Sequence, residues 1–183
     1  MSGPEGSLVM LRRLSREHVE ATHALRLRNR AFFAPYEPAA ADGDFTLEAV
    51  RGQVDRAIDE DRAGVSFSFG IFDRSDGALC GRIRLSNVFR AVWQNANIGY
   101  YIDQERNGRG FATEAVRLVC GFAFTNAGLH RVQAGVMTDN ARSIRVLDKA
   151  GLRCEGLALR YLLINNEWRD HFIYAMTAEE WSG

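Results

Sequence analysis

The organisation of this chain is decided by residues 97–128, which read NIGYYIDQERNGRGFATEAVRLVCGFAFTNAG. Up to Ile102 the side chains alternate between apolar residues and smaller or more polar ones, which is the period of a β-strand. A turn with two glycines follows at residues 107–112, and apolar side chains then recur at helical spacing from Phe111. Gly128 is the expected end of that helix. The stretch therefore predicts a strand, a glycine-rich turn and a long helix.

The glycine-rich turn has the chemistry of an anion site. A helix N-terminus carries N–H groups without intrahelical partners and a partial positive charge. Because glycines let an anion approach the backbone closely, we expect a phosphate, and most favourably a pyrophosphate, on the N–H groups of residues 108–112. An ordinary strand-to-helix turn is the alternative. The P-loop and dinucleotide patterns do not fit, since Phe111 and Ala112 follow Gly110 and no acid stands near Leu129.

Composition and charge bound the class of protein. The chain has 183 residues, of which 46% are hydrophobic and 25% charged, as in an ordinary globular protein with a sizeable core. Its formal net charge is zero, which argues against a general nucleic-acid coat or a membrane-surface protein. No apolar run reaches the length of a membrane span. Cys80, Cys120 and Cys154 lie in apolar patterns without ligand spacing, so we expect buried thiols, no metal site and a reducing, cytoplasmic location.

The remaining elements predict an α/β (α+β) fold, with a mixed, mostly antiparallel sheet of about seven strands and about four helices on both of its faces. Strands are expected at residues 8–14, 65–72, 79–85, 95–102, 132–136, 152–164 and 168–176, and helices at 15–29, 46–61, 111–128 and 141–150. Residues 29–38 contain two prolines and are expected to form a loop that lines a binding site or connects rigidly. No linker or repeat interrupts the pattern, so residues 1–183 are expected to be a single domain.

Two segments resemble the GNAT acetyltransferase superfamily. Its acyl-CoA loop has Gln or Arg, two residues, Gly, one residue, and Gly or Ala; here Gly110 and Ala112 fill the last two places, and Asn107 replaces the Gln or Arg. Residues 140–143, with Gly151 and Leu152 behind them, are similar to the second acyl-CoA segment of that superfamily. The predicted order of strands and helices is also similar to the GNAT fold from end to end.

A narrower resemblance is to the ribosomal-protein N-alanine acetyltransferase subfamily. Residues 161–171 look like its C-terminal signature, and residues 29–30 with residues 35–38 also resemble that subfamily, with Tyr36 in place of a more usual Trp. The subfamily also includes enzymes that act on other amines. The resemblance implies transfer of an acetyl group from acetyl-CoA to an amine, most favourably the N-terminal α-amine of a protein such as a ribosomal protein.

The same resemblance implies which residues contact acetyl-CoA. The strand edge at Tyr100–Ile102 pairs with the pantetheine arm, and the thioester lies where this strand separates from residues 132–137. A backbone N–H near Tyr101 or Ile102 polarises the thioester carbonyl. The implied cofactor-binding residues are Tyr100, Tyr101, Ile102, Asn107, Gly108, Arg109, Gly110, Phe111, Ala112, Thr113 and Asn140.

Ser143 and Asn140 are the candidate catalytic residues. Ser143 is expected in the first turn of its helix, near the positive dipole end, where it can protonate or hydrogen-bond the leaving thiolate. Many GNAT enzymes use a Tyr one turn further on, where Leu147 stands here, so Ser143 is expected to be the only hydroxyl within reach. Its alternative role is to satisfy the helix N-terminus.

The general base is left open by the sequence. An α-amine has a pKa of ~7.7–8.0, so only mild help is needed at physiological pH. The candidates, acting directly or through water, are Glu37, Asp103 and Glu155, and Asp170 is expected to be structural.

Two other functions stay open. One is an acetyltransferase of a small amine such as an antibiotic or polyamine, which predicts an acidic acceptor pocket. The other is an acyl-CoA-binding module without catalysis. The expected partners are acetyl-CoA and a protein N-terminus or small amine, without direct nucleic-acid or membrane contact; a homodimer is an open option.

Overall fold

The computed structural model of the chain describes residues 3–182, and its centre is one seven-stranded sheet. The strands follow the order β1-β2-β3-β4-β5-β7-β6, and only the β4–β5 pair is parallel. They are β1 (Val9–Arg13), β2 (Phe67–Asp73), β3 (Leu79–Phe89), β4 (Asn95–Ile102), β5 (Arg131–Met137), β6 (Arg153–Ile164) and β7 (Glu167–Thr177). The predicted fold class, a mixed and mostly antiparallel sheet, is confirmed.

Helices cover both faces of the sheet. They are α1 (Val19–Arg28), α2 (Arg30–Phe33), α3 (Leu47–Arg62), α4 (Phe111–Thr125) and α5 (Ala141–Ala150). The predicted loop at residues 29–38 is wrong over residues 30–36, because α2 and a 3-10 turn at Ala34–Tyr36 occupy them. Asn29 holds this junction against the end of β4: its Nδ2 donates to Asp103 Oδ1 at 3.0 Å, and its Oδ1 accepts from Gln104 N at 2.8 Å.

The larger core lies between the sheet and α4. The inward side of α4 is buried and packs against apolar side chains of β1 to β5. Residues of α5 join the same core. The residues of α4 with no exposed surface include Ala115, Val116, Val119, Cys120 and Ala123. Cys80 and Cys120 are buried as expected, but Cys154 is exposed, because it lies on the edge strand β6. Within residues 3–182, no helix is long and apolar enough to cross a membrane.

The parallel pair β4 and β5 is joined only at its beginning. Ladder pairs link Asn95 to Arg131 and Asn97 to Gln133, and no further pair follows, although β4 continues to Ile102 and β5 continues beyond Gln133. The polar backbone groups along the facing edges beyond Asn97 are therefore free of ladder bonds to each other. The resemblance described above implies that the thioester lies at this separation, and the candidate site described next is built around it.

Candidate active site

The turn before α4 is an open cradle of backbone N–H groups. Gly108 and Gly110 have φ angles of +79° and +85°, which side chains other than Gly rarely adopt. Among the described residues, none of the amides of residues 108–113 donates a hydrogen bond, and the first N–H with an acceptor is that of Glu114, which donates to Gly110 O at 3.0 Å. Free amides at a helix N-terminus fit a phosphate group.

Residues 7–9 are hydrogen-bonded to the first turn of α4, directly after the cradle. The Glu114 carboxylate, in the first turn of α4, accepts the backbone N–H groups of Ser7, Leu8 and Val9 at 2.7–2.8 Å and the Ser7 hydroxyl at 2.7 Å. A Cβ at Gly110 would lie 3.2 Å from Leu8 Cδ1. Burial alone would raise the pKa of Glu114, but these hydrogen bonds outweigh it and lower the pKa below its ordinary value.

Successive residues of β4 point to opposite faces of the sheet. Tyr100 faces the α5 side, where its hydroxyl meets Ser143, and Ile102 on the same side is buried in the larger core. Tyr101 faces the α1 side, where its ring lies 4.9 Å from that of Phe33 and 5.7 Å from the Arg26 guanidinium. The side chains of Tyr100 and Tyr101 therefore lie on opposite faces of the sheet at the separation of β4 and β5.

Ser143 is in the first turn of α5, as predicted. Its backbone N–H is accepted by Asn140 Oδ1 at 3.1 Å, so Asn140 is the helix cap and its Nδ2 is left as a donor. The expectation that Ser143 is the only hydroxyl within reach is wrong, because Tyr100 Oη lies 2.8 Å from Ser143 Oγ. Leu147 is fully buried in the core, so its position is closed to a hydroxyl.

The three carboxylates proposed as bases, and Asp170, which was expected to be structural, are all engaged in other interactions. Glu37 forms two hydrogen bonds with Arg26, and Asp170 accepts from Arg160 N at 2.7 Å. Burial would raise the pKa of Asp103, but hydrogen bonds from Arg28 and Asn29 outweigh it and lower that pKa. The Arg131 guanidinium lowers the pKa of Glu155.

Two glycines lie at the other face of the separation. Asn97 and Gln133 are paired side by side, so Gly99 and Gly135, two residues further along each strand, point to the same face of the sheet. Both glycines are exposed, and a Cβ at Gly99 would meet no atom within 4 Å. Free room beside the end of the β4–β5 ladder therefore lies at Gly99, whereas the Tyr161 ring lies against Gly135.

The opening is spanned by a contact between two distant segments. The turn between β6 and β7 reaches the segment after α2, where Asn165 Nδ2 donates to Ala34 O at 2.7 Å. The α2 segment is itself anchored on β4 by Phe33 and Tyr101. We refer to the contact between Asn165 and Ala34 as the bridge and to the open space beside Gly99 as the slot. Sequence reasoning missed Gly99 and Gly135, and the only signal for them was their place two residues beyond the strand pairs.

The geometry and the family comparison agree on the class of protein. The sequence matches the family described as acetyltransferase (GNAT) domain over residues 9–153, and the chain belongs to this family. It is therefore an N-acetyltransferase, and acetyl-CoA is its acyl donor. The cradle of free amides at residues 108–113 fits the pyrophosphate of that molecule.

Particular relatives are similar over nearly the whole chain. The sequence is 38% identical over 172 residues to the probable N-acetyltransferase YjcK of Bacillus subtilis, which covers 94% of this chain and 95% of that protein. It is 31% identical over 154 residues to the ribosomal protein uS5-alanine N-acetyltransferase of Escherichia coli, which covers 84% of this chain and 79% of that protein. The solved structure of Mycobacterium smegmatis RimJ in complex with CoA-disulfide matches with a TM-score of 0.91 at 31% identity, covering 100% of this chain and 88% of that one.

Proposed function

We propose that this enzyme acetylates the N-terminal α-amine of a protein, in the manner of the ribosomal-protein acetyltransferases to which it is similar. The observation that carries the proposal is the slot beside Gly99 together with the bridge. An acceptor must enter it end-on, below the contact between Asn165 and Ala34, which suits a flexible chain terminus. The 31% identity to the uS5-alanine enzyme supports the same acceptor class.

The charges around the slot favour a peptide terminus over a polyamine. A polyamine site needs free carboxylates, but Glu37 is paired with Arg26 and Asp103 with Arg28. Arg82, on the neighbouring strand β3, is half-buried and has the Ser68 hydroxyl as a hydrogen-bond partner. Because each of these carboxylates already holds an arginine, neither is a free anionic partner for a polycationic acceptor, and the guanidinium N–H groups can donate to the backbone carbonyl groups of a peptide.

Different residues of the chain have different proposed roles in acetyl transfer. When bound, acetyl-CoA supplies an activated acetyl thioester. In the proposed arrangement the amides of residues 108–113 hold its pyrophosphate, and the free edge of β4 at Tyr100–Ile102 binds the pantetheine arm. Asn140 offers its Nδ2 to the pantetheine amides. Ser143, hydrogen-bonded to Tyr100, donates a proton to the departing sulfur.

The acceptor is tested with a panel of amines and mass spectrometry. The purified enzyme and acetyl-CoA are offered peptides that begin with Ala or Ser, the same peptides with a blocked N-terminus and an internal lysine, spermidine, and an aminoglycoside. We expect acetylation of the free N-termini alone. Modification of lysine side chains or small amines, with free N-termini left unmodified, would contradict the proposed acceptor class.

The bridge itself is tested by Asn165→Asp. Asn165 has a φ of +49°, which Asp also tolerates, so the substitution removes the donor to Ala34 O with little backbone strain. Loss of one hydrogen bond that orders the slot costs about 1 kcal/mol, or roughly a fivefold rise in the KM for the peptide. The KM for acetyl-CoA should not change. Asn166→Asp, at the neighbouring turn position with φ +63°, is the matched control, and equal behaviour of the two variants would contradict the bridge.

A further inference from the structure

We propose that His171 is the general base of this acetyltransferase, with Nε2 as the atom that accepts the proton of the acceptor amine. The assignment uses a buried ring on β7 that no other interaction described above requires. It applies to transfer to any amine, and it rests on the family's acetyl transfer rather than on the acceptor proposed above.

A backbone contact sets the tautomer of the His171 ring. Its Nδ1 lies 2.9 Å from Arg169 O. A carbonyl oxygen can only accept, so in the neutral ring Nδ1 carries the proton and Nε2 carries the lone pair. Among the described residues, Nε2 has no hydrogen-bond partner. The ring therefore presents a free basic nitrogen in a fixed orientation.

The ring lies close to Gly135. In the β5–β7 ladder His171 is opposite Met137, two residues beyond the position of Gly135. A Cβ at Gly135 would lie 3.7 Å from His171 Cδ2 and 3.1 Å from Tyr161 Cε1. Since Cδ2 is bonded to Nε2, the basic nitrogen is one bond away from an atom that borders the Gly135 position, on the same side as the Tyr161 ring.

The surroundings of His171 hold the ring in place and leave Nε2 available as a base. Tyr161, on β6, packs edge-on at 5.6 Å between ring centroids, and the His171 residue is only 3% exposed. Of the charged side chains next to it in sequence, Arg169 forms an ion pair with Asp139, which follows β5, and the Asp170 carboxylate accepts the backbone N–H of Arg160. No carboxylate bonded to the ring competes for its proton among the described residues.

The proposed step balances with the atoms present. The acceptor ammonium gives a proton to Nε2, its nitrogen lone pair forms a bond to the acetyl carbon, and the bond from that carbon to sulfur breaks. The sulfur takes a proton from the hydroxyl pair of Ser143 and Tyr100. The acetylated nitrogen releases its second proton to solvent, and solvent returns one proton to the hydroxyl pair. His171 later gives its proton to solvent, so the sum is one ammonium and one thioester consumed and one amide, one thiol and one proton formed.

The first test is His171→Asn, chosen because it deletes Nε2 and little else. The side-chain amide of Asn places a donor near the position of Nδ1, so the hydrogen bond to Arg169 O can be kept. We expect kcat to fall by about 100-fold or more with the KM for acetyl-CoA unchanged. His130→Asn is the matched control, because His130 is exposed and pairs only with Glu179; its kcat should equal that of the wild type.

The pH dependence separates a base from a structural residue. A side-chain base gives the wild-type kcat an acid limb that does not depend on which amine is the acceptor. In His171→Asn it should move up to the ionisation of the acceptor itself, ~7.7–8.0 for an α-amine. Added imidazole should restore part of the activity of His171→Ala, whose cavity lies where the ring was. An unchanged acid limb in His171→Asn, or absence of rescue in a folded His171→Ala, would overturn the assignment.

The wild type alone also decides the question if both variants fail to fold. A wild-type acid limb that follows the pKa of each acceptor, across amines of different basicity, would exclude a ring base. The measurements use whichever amine of the panel is turned over fastest. Inactivity on free N-termini would therefore contradict the proposed acceptor only, whereas an unaltered His171→Asn would contradict the base only.

Discussion

The hydroxyl oxygens of Tyr100 and Ser143 lie 2.8 Å apart, although the residues come from β4 and α5. Burial raises the pKa of Tyr100 to about 12 even though the contact with Ser143 lowers it, so the phenol stays protonated at neutral pH. A protonated phenol can donate to Ser143 Oγ while Ser143 keeps its own proton for a further acceptor. The two hydroxyls therefore form a short relay that ends at Ser143.

Ser143→Ala should slow turnover without weakening acetyl-CoA binding. A hydroxyl that assists only the leaving thiolate acts in the transition state, so kcat should fall while the KM for acetyl-CoA stays the same. We expect a loss of about 100-fold, the lower end for general acid help, because a thiolate is a good leaving group. Steady-state kinetics with saturating acceptor measure both constants.

The same variant separates catalysis from helix capping. Alanine keeps the backbone N–H that Asn140 Oδ1 accepts, so the cap of α5 survives in Ser143→Ala. Its melting temperature should stay close to that of the wild type. A lowered melting temperature with nearly full turnover would show that Ser143 only supports the helix end.

Tyr100→Phe tests whether the two hydroxyls act together. Removal of the Tyr100 hydroxyl should lower kcat less than Ser143→Ala does, because Ser143 retains a proton of its own. If Tyr100 acts through Ser143, the double variant should be no slower than Ser143→Ala, which is the non-additivity expected of coupled residues. Additive losses in kcat would mean that Tyr100 acts independently of Ser143.

The strand-turn-helix unit could be predicted because its signals are local. Alternation up to Ile102, glycines at positions 108 and 110, and helical spacing after Phe111 each depend on neighbours in sequence. Helix α2 could not, because its flanking residue Asn29 is held by Asp103 and Gln104, more than seventy positions away. Pro35, which reads as a loop signal, is accommodated in the first turn of a 3-10 segment.

The candidate site was predictable only where one segment supplies it. Ser143 and Asn140 share one helix start, so their spacing alone places them together. The role of Tyr100 depends on which face of β4 meets α5, and that of His171 on the register of β7 against β5. Strand alternation gives the period of such side chains but not the partner that they face.

Ala112→Pro tests the cradle by removing the backbone N–H of one of its residues. Ala112 is the second residue of α4, where the N–H has no helical acceptor and proline is tolerated. A hydrogen bond to a charged group contributes about 1.5–3 kcal/mol, so affinity for CoA should fall by roughly 10- to 100-fold. Calorimetric titration with CoA measures the change.

A control variant and a comparison position sharpen that test. Ala112→Ser changes the side chain and keeps the N–H, so it should bind CoA as the wild type does. A substitution at Gly110 is less informative, since a side chain there would both strain the backbone and contact Leu8. Equal affinities of Ala112→Pro and Ala112→Ser would contradict the use of that amide.

Glu114→Gln should destabilise the protein because it replaces one accepting oxygen of the carboxylate by an N–H donor. Each carboxylate oxygen of Glu114 accepts two hydrogen bonds from residues 7–9, and the amide of Gln would present N–H groups to two of those donors. Leaving such donors unsatisfied costs about 1–3 kcal/mol in the free energy of unfolding. Urea denaturation of the two proteins at pH 7 measures the difference.

The size of this effect should depend on pH in a defined direction. The pKa of Glu114 in the folded protein lies below its ordinary value of 4.5, so its stabilising contribution is complete above pH 4.5 and is lost as the pH falls through the folded-state pKa. The difference in unfolding free energy between the wild type and Glu114→Gln should therefore shrink below pH 4.5. Glu20→Gln, at an exposed position on α1, should show no such trend. A difference that stays constant from pH 7 down to the acid transition would mean that the charge of Glu114 does not hold the N-terminal segment to the cradle helix.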